Sequence, residues 1–189
     1  MDRKQCAAVI RILRKYGLPY ELYFGPENYI QYSDREGSAQ FILSESFQGV
    51  FLRNCTWVED MLEPAKALVP EKFDVFYVPE ALRPQVLAEL DATGPLSYSG
   101  ALVTNLELTA AGVNKGAALA ALAGRLGLER DEVMAFGDAD NDLEMLSWAG
   151  WSFAMGNGVP AAKAAARFIT GTNDEGGVGM AVEQYVLGE

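Results

Sequence analysis

Three aspartates lie within five residues, directly after an apolar segment. Asp138, Asp140 and Asp142 follow residues 132–136, and the helix-like run 143–146 comes next. In open α/β sheets, ligands bind at the C-terminal ends of the strands, so carboxylates placed there are candidates for a binding site. Three neighbouring carboxylates repel one another unless a cation or hydrogen-bond donors compensate, so the cluster is a candidate cation site.

The chemistry of this cluster favours Mg²⁺. The ligands would all be oxygens, and Mg²⁺ takes one or two carboxylates together with several waters. Asp138, the first of the three aspartates after the strand, is the expected direct ligand, and Asp142 would hold a metal-bound water or a neighbouring lysine. Asn141 offers an amide donor to a phosphate oxygen or to the loop itself. The alternative is helix capping by Asp138 or Asp140, which accounts for one or two of these residues but not for the whole cluster.

Lys115 is the second candidate residue, in the segment Asn114-Lys115-Gly116. It lies at the predicted start of a helix, where backbone N–H groups and its ammonium group could together bind an anion. The alternative is an exposed lysine beside a turn. An anion site shared with the aspartates requires that the two loops meet at one edge of a sheet, and a doubly wound topology favours such a meeting.

The segment that contains these candidates alternates between predicted helices and strands. Near-continuous apolar strands separated by helices predict a parallel sheet with helices on both faces, which is a doubly wound, Rossmann-like α/β fold. The predicted helices are 114–126 (closed by Gly127), 140–148, 160–166 and 178–187, and the predicted strands are 132–136, 151–155 and 168–170.

The first hundred residues predict an α+β mixture whose strands need not be parallel. The predicted helices are 3–16, which is amphipathic, 56–68, which is bent or divided at Pro64, and 79–90. The predicted strands are 20–24 and 29–33, which form a hairpin, 40–43, 73–78, 96–99 and 101–108. We place the domain boundary near residues 100–112 and assign residues 1–102 to an α+β domain and 103–189 to the parallel sheet.

Composition and charge exclude several classes of function. With 189 residues, half of them apolar, the chain is long enough for one large domain or two small ones. The formal net charge of −11 argues against nucleic acid or an anionic membrane as the main partner. The sequence contains no histidine, which excludes Ser-His-Asp and Cys-His catalysis and histidine-ligated zinc.

The two cysteines and the apolar runs favour the cytoplasm. Cys6 and Cys55 are isolated and form no CxxC pair, and Cys6 lies on the apolar side of a predicted helix, so a buried thiol is favoured over a redox or metal role. No signal peptide is visible, and no run approaches the roughly 18 apolar residues of a membrane span. A reducing cytoplasm is therefore the expected location.

Together these motifs resemble the haloacid dehalogenase superfamily, and within it the Cof-type phosphatases with a large inserted cap. Residues 113–116 are similar to the lysine motif of the family, and residues 137–142 match its GDxxND acidic motif. Residues 155–158 and 173–178 resemble its C-terminal segments. The resemblance is specific over about residues 103–187, whereas residues 1–100 resemble most of an α/β cap in architecture only.

The resemblance implies a phosphoric monoester hydrolase that acts on a small phosphorylated metabolite with Mg²⁺ as cofactor. A nucleophilic aspartate attacks phosphorus, a second aspartate two residues later acts as general acid and base, and Mg²⁺ neutralises charge. The resemblance assigns stabilisation of the aspartyl-phosphate to Lys115, metal ligation to Asp138, and support of the metal's waters or of Lys115 to Asp142. Covalent catalysis by a carboxylate requires no histidine.

The chain departs from the family pattern where the nucleophile belongs. The family carries it in a DxDGT-like motif on an N-terminal strand, and neither this motif nor the family's phosphate-binding Ser/Thr motif occurs in the sequence. The segment most similar to the DxDGT-like motif is Asp34-Arg35-Glu36-Gly37-Ser38. It has glutamate where the second aspartate belongs and is interpreted as a hairpin turn. We therefore expect the chain to begin inside the cap, to keep only the second half of the core, and to be inactive alone.

An incomplete parallel sheet has a physical consequence. In the family layout the absent first strand pairs beside residues 134–137, so its absence exposes apolar surface and an unpaired edge. Such an edge favours pairing with a separate N-terminal segment or self-association. The leading hypothesis is the C-terminal part of a phosphatase, and the alternative is a non-catalytic binding or assembly module derived from the same fold. The combination of motifs disfavours a Mg²⁺ protein of another doubly wound family.

Overall fold

The computed structural model describes residues 1–34, 38, 40, 45–100 and 104–188. The chain separates into two compact units, Met1–Ala111 and Gly112–Glu189, which we call the first and the second unit. The division falls at the later end of the predicted interval 100–112. Residues 106–110, assigned above to the second domain, form a strand in the sheet of the first unit. Parts of the predicted strands 40–43 and 101–108, and of the turn at 34–38, lie outside the described residues.

The first unit contains four described helices and a mixed sheet. Its helices are α1 (Arg3–Lys15), α2 (Glu45–Asn54), α3 (Leu62–Ala67) and α4 (Arg83–Asp91). Its strands are β1 (Tyr20–Phe24), β2 (Glu27–Gln31), β3 (Thr56–Val58), β4 (Lys72–Val75), β5 (Leu96–Ser99) and β6 (Leu106–Ala110), in the spatial order β3-β2-β1-β4-β6-β5. Only the β2–β3 pair is parallel among these described strands, and the predicted hairpin is present as β1 and β2.

The segment 56–68 is not the single bent helix that its sequence predicts. Residues 56–58 form β3, and α3 begins only at Leu62. Two β-branched residues around Trp57 favour an extended conformation, and pairing with β2 stabilises it. The Asp60 carboxylate then accepts a hydrogen bond from the Leu62 N–H at 2.8 Å, which starts the short helix. Helix α2 is a further element that the pattern did not predict.

The six-stranded sheet has an apolar face and a polar face. The apolar face packs against α1 through fully buried residues, which include Val9, Leu22, Phe73 and Leu108. On the polar face, Glu21, Asp74 and Glu107 are neighbours across β1, β4 and β6. Lys72 Nζ lies 3.0 Å from Glu107 and 3.6 Å from Asp74, so one lysine faces three carboxylates.

Glu21 is the most buried carboxylate of this row, at 2% exposure. It accepts hydrogen bonds from Tyr23 Oη at 2.6 Å and Asn28 Nδ2 at 2.7 Å. Burial nevertheless raises the pKa of Glu21 above its ordinary value, because these donors and Lys72 do not outweigh desolvation and the neighbouring Asp74. A glutamate whose pKa is raised on folding stabilises the fold most below its unfolded pKa of about 4.3, and this stabilisation is lost as pH rises through the folded value.

Replacing Glu21 with glutamine is therefore expected to stabilise the first unit by about 1 kcal/mol above neutral pH and to flatten its pH dependence. Glutamine keeps both contacts, since its oxygen can accept from Asn28 and its amide can donate to the Tyr23 hydroxyl. Amide hydrogen exchange in β1 and β4 between pH 5 and 8 measures the change. The matched control is Glu27→Gln, an exposed glutamate that accepts a similar bond from Tyr29 at 2.7 Å. Equal effects of the two substitutions would contradict the burial argument.

The second unit is a three-stranded parallel sheet flanked by helices. Its helices are α5 (Lys115–Leu126), α6 (Leu143–Trp148), α7 (Pro160–Ala165) and α8 (Gly177–Val182), which continues as a π-helical turn Glu183–Leu187. Its strands, in spatial order, are β7 (Met134–Gly137), β8 (Trp151–Ala154) and β9 (Phe168–Ile169). The short turns Arg130–Glu132 and Asp140–Asp142 are 3₁₀-helical.

The predicted fold class is confirmed: a partial doubly wound, Rossmann-like α/β core sheet occurs together with an α+β unit. The crossovers between its parallel strands, β7-α6-β8 and β8-α7-β9, use short helices. None of the helices in the described part of the chain is long and apolar enough to span a bilayer. Cys6 and Cys55 are buried free thiols, and burial raises the pKa of each to about 11.

Candidate active site

The carboxylate of Asp142 is buried and accepts hydrogen bonds from three donors. Its Oδ1 lies 2.5 Å from Lys115 Nζ, and its Oδ2 accepts from the backbone N–H groups of Asp138 at 2.9 Å and Ala139 at 3.1 Å. Asp142 is 4% exposed, whereas the Lys115 side chain is half exposed. The carboxylate therefore joins the start of α5 to the loop that follows β7.

These contacts keep Asp142 charged. Burial by itself raises the pKa of the carboxyl group, but the hydrogen bond and charge of Lys115 and the two backbone N–H donors together hold the pKa below its ordinary value. The mutual repulsion expected within the aspartate cluster is thus relieved at Asp142 by a lysine and by backbone donors. Of the two roles predicted for Asp142, holding a neighbouring lysine is the one present in the structure.

Two glycines make this ion pair sterically possible. A Cβ atom on Gly137 would lie 2.5 Å from Cβ of Asp142, and one on Gly116 would lie 2.6 Å from the carbonyl carbon of Glu144. Neither distance permits a side chain, so Asp142 folds directly over the end of β7 while α5 packs against the first turn of α6. Both glycines lie in the motifs described above, but the sequence alone does not reveal their steric role.

Lys115 takes its position from the helix that it begins. The side chain of Asn114 accepts a hydrogen bond from the Ala117 N–H at 2.7 Å and caps α5, and Gly127 ends the helix in the left-handed conformation with φ of 70°. The cap at Gly127 is the predicted one, whereas the sequence pattern placed Asn114 inside the helix and did not predict its capping role. The preceding strand, β6, belongs to the other sheet, so Lys115 does not reach Asp142 from a neighbouring strand end. It reaches Asp142 because α5 packs on α6.

The backbone of Asp138 is hydrogen-bonded on both sides, whereas its side chain is exposed. Its N–H donates to Asp142 as described above, and its carbonyl oxygen accepts a hydrogen bond from the Val159 N–H at 2.8 Å. Its carboxylate is exposed and, among the described residues, forms no hydrogen bond or ion pair. The same holds for the exposed carboxylate of Asp140 and the amide of half-buried Asn141. The capping interpretation is therefore wrong for Asp138 and Asp140, and Ala139 occupies the cap position instead.

The donor set at the end of β7 fits Mg²⁺. Within the described ranges, no three His, Cys, Asp or Glu side chains converge to enclose a metal ion. A cation at this position would therefore take one or two carboxylates and complete its shell with water or phosphate oxygens, which is the usual arrangement for Mg²⁺. Asp138 offers an exposed carboxylate, and Lys115 and Asn141 offer donors to an anion.

The comparison with known proteins decides the family. A family model for haloacid dehalogenase-like hydrolases matches residues 1–182. The chain belongs to this family. The resemblance predicted from the lysine and GDxxND motifs is thus confirmed, and it extends over the first unit, where the sequence had offered only an architectural likeness.

This chain is similar to curated phosphatases in sequence and to solved haloacid dehalogenase-like proteins in structure. The chain is 40% identical over 116 residues to the 5-amino-6-(5-phospho-D-ribitylamino)uracil phosphatase YcsE of Bacillus subtilis, a match that covers 61% of the chain and 47% of that protein. A haloacid dehalogenase-like hydrolase from B. subtilis superposes with a TM-score of 0.81 at 22% identity, covering 98% of this chain and 71% of the other. The subclass IIB sugar phosphatase BT4131 gives 0.77 at 20% identity, covering 98% and 67%. The matched segment spans about half the length of the curated relative, 47%.

Proposed function

We propose that the chain is the metal- and phosphate-binding part of a Mg²⁺-dependent phosphatase that hydrolyses a small phosphorylated metabolite through an aspartyl-phosphate. One observation carries this proposal: an exposed carboxylate (Asp138), which has no partner among the described residues, shares a loop with a buried carboxylate (Asp142) that holds the ammonium of Lys115. A cation ligand on this loop and a cationic donor that the loop's Asp142 holds from α5 are what a phosphoryl group with Mg²⁺ requires.

Each residue has a separate task in this proposal. Asp138 would hold Mg²⁺, which supplies charge neutralisation at the phosphoryl oxygens when bound. Lys115 donates to a phosphoryl oxygen, and the Asp142 carboxylate orients it while leaving its half-exposed ammonium accessible. Asn141 donates its amide to a second phosphate oxygen. The attacking carboxylate would come from outside these residues, because no DxDGT-like motif occurs in the sequence.

The substrate class is supported by the relatives. The name of the B. subtilis protein specifies a phosphorylated ribitylamino-uracil, and that of the solved subclass IIB protein specifies a sugar phosphatase. We therefore propose a small phosphorylated metabolite for the intact enzyme. The net charge of −11 makes nucleic acid and anionic membranes poor partners. A cytoplasmic location stays a prediction. The two free thiols favour it, because thiols stay reduced in that compartment.

A protein segment that completes the second unit is a further proposed partner. Strand β7 lies at one end of the described β7-β8-β9 sheet, and α5 exposes Leu122 and Leu126 at 53% and 64%. An open strand edge beside an exposed apolar helix face favours either a separate N-terminal segment or self-association.

The test is a phosphatase assay with and without an attacking carboxylate. The chain alone is expected to show little or no turnover, whereas a fusion to an N-terminal segment with the family's DxDGT-like motif is expected to hydrolyse sugar phosphates with Mg²⁺. In the fusion, Asp138→Asn should lower kcat/KM by about 100-fold or more, because it removes a charged metal ligand. Asp140→Asn, which alters an exposed neighbour, should have little effect.

The alternative function, a non-catalytic binding or assembly module, is favoured by the missing nucleophile motif. It predicts that the folded fusion is inactive with every phosphate ester tested. Efficient Mg²⁺-dependent turnover by the chain alone would instead show that it contains its own nucleophile.

A further inference from the structure

The turn that follows β8, residues 155–159, lies against the backbone of Asp138. The Met155 N–H donates to the Gly137 carbonyl at 3.0 Å, and the Val159 N–H donates to the Asp138 carbonyl at 2.8 Å. The turn closes on itself through a hydrogen bond from the Gly158 N–H to the Met155 carbonyl at 2.8 Å. The end of β7 is therefore held by the loop that follows its neighbouring strand.

Gly158 fits closely between this turn and Asp138. A Cβ atom on Gly158 would lie 2.9 Å from the Met155 carbonyl oxygen, 3.1 Å from Cα of Asp138 and 3.2 Å from its carbonyl oxygen. These neighbours are backbone atoms, which cannot rotate away as a flexible side chain can. Any side chain at position 158 must therefore displace the turn or Asp138.

We propose that the turn 155–159 is the positioning element of the metal ligand, acting through Gly158 and Val159 on the main chain of Asp138. The inference rests on the proposed function. The Asp138 N–H is bound by Asp142 and its carbonyl oxygen by Val159, so the peptide units on both sides of the residue are fixed. Only the side-chain torsions remain free, and a preorganised ligand binds a cation at lower entropic cost.

The opposite side of the same turn supplies a matched control. A Cβ atom on Gly156 would meet the loop that follows β9, at 3.1 Å from the carbonyl carbon of Gly171 and from the Thr170 carbonyl oxygen. Gly156→Ala therefore disturbs the turn without pressing on Asp138. If the turn were only a connection between strands, Gly156→Ala and Gly158→Ala would act alike.

The experiment measures Mn²⁺ binding to the 189-residue chain by water-proton relaxation, with Mn²⁺ as the probe for Mg²⁺. Gly158→Ala is expected to raise the Mn²⁺ dissociation constant by about tenfold or more, as substitutions of groups that orient a metal ligand do. Gly156→Ala is expected to change it by less than about twofold while lowering stability comparably. Equal dissociation constants for wild type and Gly158→Ala would overturn the inference.

A second variant keeps the inference testable if Gly158→Ala does not fold. Val159→Pro removes the N–H that binds the Asp138 carbonyl, and the φ of −62° at Val159 already suits proline. It should weaken Mn²⁺ binding as Gly158→Ala does, and unchanged binding in this folded variant would overturn the inference. If wild type itself binds no Mn²⁺, or binds it equally after Asp138→Asn, the proposed function fails. If wild type binds Mn²⁺ and Asp138→Asn does not, but Gly158→Ala and Val159→Pro bind it as tightly as wild type, the inference fails and the proposed function stands.

Discussion

Replacing Gly137 with alanine is expected to destabilise the second unit by about 3 kcal/mol or more. The new Cβ would lie 2.5 Å from Cβ and 2.8 Å from Cγ of Asp142, which is buried. Displacing Asp142 also separates its carboxylate from Lys115 and from two backbone donors. Overpacking and the loss of partners for a buried charge therefore both lower the free energy of unfolding.

Urea denaturation followed by the fluorescence of Trp148 and Trp151 measures this loss, in a Trp57→Phe background that removes the signal of the first unit. Gly124→Ala is the matched control, because a Cβ there meets no described residue within 4 Å and alanine favours the helix. The control should be neutral or slightly stabilising. A Gly137→Ala variant that unfolds at the wild-type urea concentration would contradict the packing described for Asp142.

Replacing Asp142 with asparagine is expected to cost the second unit about 2 kcal/mol near neutral pH. The side chain keeps its size but loses its charge, and its amide group would face either Lys115 or the backbone N–H groups, all of which are donors. Because the Lys115 side chain is half exposed, water screens the ion pair and reduces its contribution to the free energy of unfolding. Asp140→Asn, at an exposed neighbouring carboxylate, is the control and should change stability little.

The same substitution makes a signed prediction about pH. The folded pKa of Asp142 lies below the unfolded value of about 3.9, so its stabilisation is present above that value and is lost as pH falls through the folded pKa. The stability difference between wild type and Asp142→Asn should therefore be constant near neutral pH and shrink below about pH 4. A difference that grows on acidification would show that Asp142 is not held in its charged form.

The local sequence predicted much of the second unit because its signals are short-range. The helix α5 has a side-chain cap at Asn114 and a left-handed glycine at Gly127, and both operate within a few residues. The strand β7 and the charged loop after it follow from one apolar run and its abrupt end. The predicted meeting of Lys115 with Asp142 is confirmed, but through packing of α5 on α6 and not through neighbouring strand ends.

Elements that depend on distant partners were predicted less well. The pattern of residues 56–58 predicts the start of a helix, but pairing with β2, more than twenty residues earlier in the chain, makes this segment strand β3. The apolar pattern of residues 106–110 does not specify which sheet they join, and β6 pairs with β4 in the sheet of the first unit. The contact between Gly158 and Asp138 could not be predicted either, since a glycine in sequence does not reveal which backbone lies against it.

The most direct test of the metal- and phosphate-binding site is calorimetric titration of the 189-residue chain with inorganic phosphate, with and without saturating Mg²⁺. If Asp138 holds the cation and Lys115 the anion at one site, Mg²⁺ should tighten phosphate binding by about tenfold, and phosphate should tighten Mg²⁺ binding by the same factor. Asp138→Asn should remove this coupling, and Asp140→Asn should keep it. Phosphate binding that is independent of Mg²⁺, or coupling that survives Asp138→Asn, would contradict the assignment of the site.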